Sequence, residues 1–215
     1  MIFPLRPARP LSLAIALLIS LSFLAVPSFA AKARKVQAQD EEFVNFAQWG
    51  EVNAFIDQMV AEHGFDKNQL QSILRQARYL NSAIQLVKPA PPGKPKNWNA
   101  YRNRFVEPIR IDAGVAFWNT YADTLARAEN QYGVPAEIIV AILGVETIYG
   151  RNTGNFRVMD AITTLAFAYP DTPNREARMA YFRSELENTL LLARDENIDP
   201  FSLLGSYAGA VGLPQ

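Results

Sequence analysis

One glutamate stands alone in a long apolar stretch of this sequence. Within residues 138–150, Glu146 is the only charged residue. Its helical neighbours three and four positions away are all uncharged: Ile142, Leu143, Tyr149 and Gly150. Such surroundings favour the protonated form of a carboxyl group, because burial penalises the charge. A protonated carboxyl can act as a general acid on a glycosidic oxygen. The alternative is a buried structural glutamate that pairs with an arginine elsewhere, for instance Arg151.

Two other segments contain residue types that suit a carbohydrate ligand. Tyr101-Arg102-Asn103-Arg104-Phe105 mixes aromatic rings with cations, which can stack on sugars or simply pack at the surface. The stretch from Ser206 to Gly212 is rich in small residues. Small residues allow a ligand to approach the backbone closely, although an ordinary loop has the same composition.

The composition excludes several classes of function. The chain has no cysteine, so disulfides, thiolate zinc sites and cysteine nucleophiles are excluded. His63 is the single histidine and leaves no histidine pair for a metal site. The net formal charge is zero, whereas a nucleic-acid-binding domain needs a basic face. We therefore predict no metal site and no nucleic-acid partner.

The N-terminus is typical of an export signal. Arg6 and Arg9 precede an apolar stretch over residues 11–26, and small residues then surround a cleavage position after Ala30. An uncleaved anchor is the alternative, but the apolar stretch is shorter than the roughly 20 residues that span a membrane. We predict a periplasmic protein with no membrane anchor after cleavage.

Apolar spacing predicts an all-α protein. One helix has Val52, Phe55, Ile56, Met59 and Val60 on one face and ends at Gly64. Asp66 and Gln69 resemble a capping box that opens a second helix, with Leu70, Ile73, Leu74 and Ala77 inward.

Further helices follow a proline-rich stretch. Asp112 is a candidate cap for a long helix that ends near Gly133, with Val115, Trp118, Ala122, Leu125 and Ala126 inward. Pro135 suits the first turn of a helix that is apolar nearly all round, which predicts a buried helix up to Gly150. Two more helices are expected over residues 158–168 and 175–197, the second with Tyr181, Phe182, Leu186, Leu190 and Ala193 inward.

These features divide the chain into five predicted parts: a signal peptide (1–30), a flexible tether (31–42), an N-terminal helical part (43–87), a Pro-rich connector (88–99) and a catalytic domain (100–215). The sequence stops in a glycine-rich loop with no closing element. We therefore expect the catalytic domain to be truncated at its C-terminus.

Several motifs together resemble the B-type lytic murein transglycosylases. The matching pieces are Tyr101-Arg102-Asn103-Arg104-Phe105, Phe117-Trp118, Tyr132-Gly133-Val134-Pro135, Gly144-Val145-Glu146-Thr147 with Tyr149-Gly150-Arg151, and Ser206 to Gln215. The resemblance covers roughly residues 43–215. It implies a lysozyme-like helical domain that cleaves peptidoglycan glycan strands.

The resemblance also implies roles for individual residues. Glu146 matches the single catalytic glutamate, and Ser206 is expected to position Glu146 or the sugar. Tyr101, Tyr207 and Gln215 are expected to bind the glycan. No cofactor is implied for this chain, although some relatives bind calcium in a part that would follow Gln215. Relatives often have a lipid-anchor cysteine, which this sequence lacks. Some relatives have arginines after the segment that matches Tyr169-Pro170, where this sequence reads Asp171-Thr172-Pro173-Asn174-Arg175.

The implied reaction is the cleavage of the bond between N-acetylmuramic acid (MurNAc) and N-acetylglucosamine (GlcNAc), with a 1,6-anhydro product. No second acid lies near Glu146 in sequence, and Asp160, Asp171, Asp195 and Asp199 are candidates only through the fold. A hydrolytic muramidase and a non-catalytic glycan-binding protein remain as alternatives.

Overall fold

The predicted all-α class is confirmed. The computed structural model describes residues 41–42, 44–89, 93 and 97–215. In order, its helices are α1 (Gly50–His63), α2 (Lys67–Gln76), α3 (Asn81–Val87), α4 (Trp98–Arg102), α5 (Pro108–Thr120), α6 (Ala122–Tyr132), α7 (Ala136–Thr147), α8 (Val158–Phe167) and α9 (Arg175–Asp195). Single 3₁₀ turns lie at Phe46–Gln48 and Pro200–Ser202.

Two short antiparallel strand pairs fasten distant parts of the chain. β1 (Glu41–Glu42) pairs with β2 (Tyr79–Leu80), and β3 (Phe156–Arg157) pairs with β4 (Leu204–Gly205). Two-residue strands are too short to show an alternating pattern, so they could not be predicted from the sequence. The first pair also places the last two residues of the predicted tether in a strand.

The main core lies between α1, α2, α8 and α9. Every residue of α8 is buried, and α9 packs along it. The predicted inward residues of the first two helices are buried, apart from the half-buried Val60 and Ile73: Val52, Phe55, Ile56, Met59, Leu70, Leu74 and Ala77. On α9 the apolar spacing is confirmed for Phe182, Leu186, Leu190 and Ala193, whereas Tyr181 is exposed.

The predicted ends of α1 and α2 are confirmed. Gly64 ends α1 in a left-handed conformation, with φ of 68°. The Asp66 side chain accepts a hydrogen bond from the Gln69 backbone N–H at 2.7 Å and so caps α2. Gly133 ends α6 in the same way as Gly64, with φ of 69°.

The prediction of one long helix capped by Asp112 is wrong. Glu107 caps α5 instead, since its carboxylate accepts hydrogen bonds from the Ile109 and Arg110 N–H groups, both at 2.9 Å. Asp112 lies inside α5, and the chain turns at Tyr121 before α6 begins. Leu125 is buried as predicted, but the other four residues predicted to point inward are exposed: Val115, Trp118, Ala122 and Ala126.

The prediction of a buried helix over residues 135–150 is also wrong. Ile138, Ile142 and Val145 are about half exposed, at 48%, 51% and 45%. The reason is that α7 packs chiefly on α5 and α6, which cover only one side of it. Val140 on that covered side lies in a small core with Leu125. The helix also ends earlier than predicted, at Thr147.

Part of the predicted organisation lies outside the described residues. This applies to the signal peptide, to the tether up to residue 40 and to residues 90–92 and 94–96 of the connector. α4 begins at Trp98, two residues inside the predicted connector. Over the described ranges, no helix combines the length and the apolarity needed to cross a lipid bilayer.

Candidate active site

Glu146 lies at the exposed end of α7. It is the next-to-last residue of the helix, and its side chain is open to solvent. The expected burial is therefore wrong, and so is the alternative of a buried pair with Arg151. Across the described part of the chain, no hydrogen bond or ion pair joins the Glu146 carboxylate to another residue. The carboxyl group is available to a ligand.

The segment after α7 joins the C-terminal loop. Thr147 is fully buried, and its Oγ1 donates a hydrogen bond to the Leu213 carbonyl at 2.9 Å. The same oxygen accepts a hydrogen bond from the Gly150 N–H at 2.9 Å. Further along, the Gln215 amide donates to the Thr153 carbonyl. These contacts place the loop of residues 206–215 against the chain that follows Glu146.

Ser206 organises this loop. Its Oγ accepts hydrogen bonds from the backbone N–H groups of Ala208 at 3.3 Å and Ala210 at 3.1 Å. Its own N–H donates to the Ala210 carbonyl at 2.8 Å, which closes a tight turn. Gly209 has φ of 86°, and a side chain there would overlap Ile162 of α8. The small residues therefore allow the loop to be compact. Tyr207 in this loop is 37% exposed.

Tyr101 lies on α4 in an exposed aromatic group. Its ring stacks on Trp98 with centroids 5.8 Å apart and lies 5.1 Å from the ring of Phe105. Tyr101 and Trp98 are 54% and 67% exposed, as a surface that stacks on sugar rings requires. Tyr101 and Trp98 thus form an exposed aromatic pair on α4, and a sugar contact at Tyr101 stays a prediction.

Arg110 connects this aromatic group to α7. Its Nε donates to the Gly144 carbonyl at 2.7 Å, and its Nη1 donates to the Arg104 carbonyl at 2.5 Å. The guanidinium also lies over the Phe105 ring, 5.4 Å from its centroid. The sequence does not single out Arg110, because an arginine in an ordinary helix start has no distinguishing pattern.

Three of the four acidic residues considered as a second carboxylate have other partners, and none is recorded for the exposed Asp171 among the described residues. Asp160 is buried, and its carboxylate accepts hydrogen bonds from Arg157 Nε at 2.6 Å and from the Arg78 N–H at 2.9 Å. Asp195 pairs with its neighbour Arg194, and Asp199 caps the 3₁₀ turn that follows it. None of these three contacts involves the end of α7.

Two other polar features lie on different elements. His63, the last residue of α1, hydrogen-bonds Glu187 of α9 at 2.8 Å, with the Glu62 carboxylate close by. A groove of about 930 Å³ runs beside α2 and the 3₁₀ turn Pro200–Ser202, lined by Arg75, Arg78 and Arg157 among others. None of the predicted site residues lines this groove.

The sequence matches a known family over most of its length. Residues 45–215 match the family model described as "Transglycosylase SLT domain". This chain belongs to that family. Since the match includes α4, α7 and the loop of residues 206–215, it covers all five predicted site residues.

Relatives within the transglycosylase SLT domain family agree with this assignment. The chain is 48% identical to membrane-bound lytic murein transglycosylase B of Escherichia coli (strain K12) over 180 residues, which are 80% of this chain and 48% of that protein. The predicted resemblance to B-type lytic murein transglycosylases is thus confirmed.

Solved structures of the family share the fold. The Escherichia coli lytic transglycosylase SLT35, solved in complex with bulgecin A, is 47% identical with a TM-score of 0.73, over 83% of this chain and 55% of that one. SltB3 of Pseudomonas aeruginosa, solved in complex with NAG-NAM-pentapeptide, is 25% identical with a TM-score of 0.66, over 80% of this chain and 43% of that one. The lysozyme-like helical architecture is therefore confirmed. The chain spans about half the length of these relatives.

Proposed function

We propose that this chain is a peptidoglycan lytic transglycosylase that cleaves the MurNAc–GlcNAc β-1,4 bond and leaves 1,6-anhydro-MurNAc ends, with Glu146 as the single acid and base. One observation carries the proposal: Glu146 is an exposed carboxyl beside the C-terminal loop, with no partner among the described residues, in a chain of the transglycosylase SLT domain family. The substrate class is supported by the murein transglycosylase name of one relative and the glycopeptide complex of another. Peptidoglycan lies outside the cytoplasm, so the proposal includes a periplasmic location.

Glu146 must carry a proton when the bond breaks. A glycan strand that covers the end of α7 would displace water from the exposed Glu146 side chain, and removal of water favours the protonated form of a carboxyl group. A bound glycan would thus bury the Glu146 carboxyl, which the sequence wrongly predicted to be buried in the free protein.

The reaction balances with one protein group. Glu146 gives its proton to the bridging oxygen, and the GlcNAc leaves as an alcohol while the acetamide oxygen of MurNAc bonds to C1. The Glu146 carboxylate then takes the proton of the MurNAc 6-hydroxyl, and O6 bonds to C1 as the acetamide oxygen departs. This route needs no second carboxylate, in accord with the other roles of Asp160, Asp195 and Asp199. A nucleophile in the same sugar also gains from proximity.

The other predicted site residues have distinct proposed roles. The exposed rings of Tyr101 and Tyr207 would contact the glycan directly. Ser206 and Gln215 are engaged with backbone groups, so they would act by keeping the loop of residues 206–215 against the chain that follows Glu146.

The test compares Glu146→Gln with Glu137→Gln, an exposed glutamate at the other end of the same helix. Purified peptidoglycan is digested, and the released fragments are weighed by mass spectrometry. We expect anhydro fragments, one water lighter than hydrolysis products, from the parent and from Glu137→Gln. Glu146→Gln should release none and still sediment with peptidoglycan.

Each other result points to a different alternative. Fragments that carry the additional water would identify a hydrolytic muramidase. Equal activity in Glu146→Gln would exclude Glu146 as the acid. Binding without cleavage by the parent chain would indicate a non-catalytic glycan-binding protein.

A further inference from the structure

The chain reverses immediately after Glu146 in an unfavourable backbone conformation. Ile148, Tyr149 and Gly150 have φ angles of 51°, 55° and 85°, so three consecutive residues are left-handed. A β-branched residue such as isoleucine rarely adopts this conformation. It persists only where surrounding contacts hold it in place.

Tyr149 makes the contacts that hold this reversal on its α5 side. Its ring stacks on Phe117 of α5, with centroids 5.1 Å apart and planes 29° from parallel. Its hydroxyl occupies a slot between Gly114 of α5 and Gly144 of α7. A Cβ atom at Gly114 would lie 2.5 Å from the hydroxyl oxygen, and one at Gly144 would lie closer still. Two glycines therefore leave room for this one phenol.

The phenol is held as a neutral group. Burial raises the pKa of Tyr149 above its usual value of 10.0, and the Arg110 guanidinium offsets only part of this rise. Arg110 also donates to the Gly144 carbonyl, so it reaches α7 at the residue that borders the slot. The contacts of Arg110 and of the Tyr149 hydroxyl at Gly144 thus both lie within one helical turn of Glu146.

The direction of the Glu146 side chain depends on this backbone. Within the described residues, the carboxylate has no partner of its own that would fix it. Its position is set only by the last turn of α7 and by the reversal that follows. Thr147 holds this region from the loop side, and Tyr149 holds it from the α5 side.

We propose that Tyr149 is a positioning residue for Glu146, held in its slot by Gly114 and Gly144. It keeps the end of α7 in the one backbone conformation that presents the carboxyl to the bridging oxygen of the glycan. This inference rests on the proposed function. Tyr149 itself touches no reacting atom, because its hydroxyl lies between the two helices.

The test changes the slot and leaves α7 intact. Gly114→Ala pushes a methyl group into the Tyr149 hydroxyl from α5. Adding Tyr149→Phe removes that hydroxyl, after which the nearest ring atom, Cζ, lies 3.2 Å from the new methyl and needs only a small shift. Gly50→Ala is the matched control, because a Cβ atom there meets nothing within 4 Å.

The readouts are kcat and KM on soluble peptidoglycan glycan oligomers, together with retention on insoluble peptidoglycan. For Gly114→Ala we expect kcat to fall on the order of 100-fold, since a shift of about 1 Å in a catalytic group has that effect. KM and retention should stay within about twofold. The kcat of the double variant should be at least about tenfold higher than that of Gly114→Ala. The kcat of Gly50→Ala should match that of the parent.

The proposal would be overturned if Gly114→Ala left kcat unchanged, or if its defect appeared in KM or in retention on peptidoglycan. It would also be overturned if kcat did not recover in the double variant. Amide hydrogen exchange over residues 145–151 tests the positioning role of Tyr149 independently of the proposed function. If the parent chain has no turnover, the proposed function fails, and Tyr149 is judged by exchange alone. Faster exchange in Gly114→Ala with recovery in the double variant supports the positioning role, and unchanged exchange refutes it.

Discussion

Thr147 and Leu213 are joined by a hydrogen bond of 2.9 Å that connects the end of α7 to the C-terminal loop across 66 residues of sequence. The Thr147 side chain is fully buried, and its hydroxyl also accepts the Gly150 N–H. One oxygen thus shapes the chain reversal after Glu146 and holds the loop that lies beside it.

Replacing this hydroxyl should loosen both contacts. Thr147→Val keeps the shape of the side chain but leaves the Leu213 carbonyl and the Gly150 N–H without their partner. We expect the free energy of unfolding to fall by about 1–3 kcal/mol, as for buried groups that lose a hydrogen bond. Urea unfolding followed by circular dichroism measures this loss. Thr189→Val is the control, since its hydroxyl bonds only a carbonyl of its own helix, and equal losses in the two variants would contradict the prediction.

Asp160 should be the most costly acid to neutralise. Its buried carboxylate binds Arg157 through two hydrogen bonds, at 2.6 and 2.8 Å, and also accepts the Arg78 N–H. In Asp160→Asn a buried carboxylate that accepts three hydrogen bonds is replaced by an amide with a single acceptor oxygen, so we expect a loss of about 2–3 kcal/mol. Chemical unfolding gives the value. Asp195→Asn removes an exposed pair and should cost about 1 kcal/mol or less; a similar cost at the two sites would refute this account of Asp160.

Gly209 should tolerate a side chain less well than Gly133. Both residues have a positive φ, 86° and 69°, so alanine is strained at either position. At Gly209 the new Cβ would also overlap Ile162 of α8, whereas at Gly133 nothing lies within 4 Å. We expect Gly133→Ala to cost about 1 kcal/mol, and Gly209→Ala to cost clearly more and to lower glycan cleavage. Thermal unfolding and the peptidoglycan assay would show whether the two variants differ.

Tyr149 should give the protein an alkaline dependence of stability. Burial raises the pKa of its phenol in the folded protein, with a smaller opposing effect from Arg110. Because the folded pKa lies above the unfolded one, this contribution is fully present below about pH 10 and is lost as the pH rises through the folded pKa. In Tyr149→Phe that loss should disappear. Ultraviolet titration of tyrosinate and urea unfolding at several alkaline pH values test this, and identical profiles for parent and variant would rule it out.

The helical class and several helix boundaries in the main core could be predicted from the sequence. The spacing of Val52, Phe55, Ile56 and Met59, the cap at Asp66 and the stop at Gly64 all act within a few residues, so they can be read locally. The motifs around Glu146 and Ser206 were equally visible, and they led to the family. Such local signals depend on residue type and spacing alone.

The construction of the site depends on how whole elements pack. The apolar α7 was expected to be buried, yet it packs chiefly on α5 and α6 along one side, and Glu146 is exposed. The contacts of Thr147 with Leu213, and of Tyr149 with Gly114, join residues far apart in sequence or on different helices. No local pattern encodes such contacts, because burial and partner choice follow from how whole elements pack. The sequence therefore singled out Glu146 as the candidate acid, and the packing of α5, α7 and the C-terminal loop defines its environment.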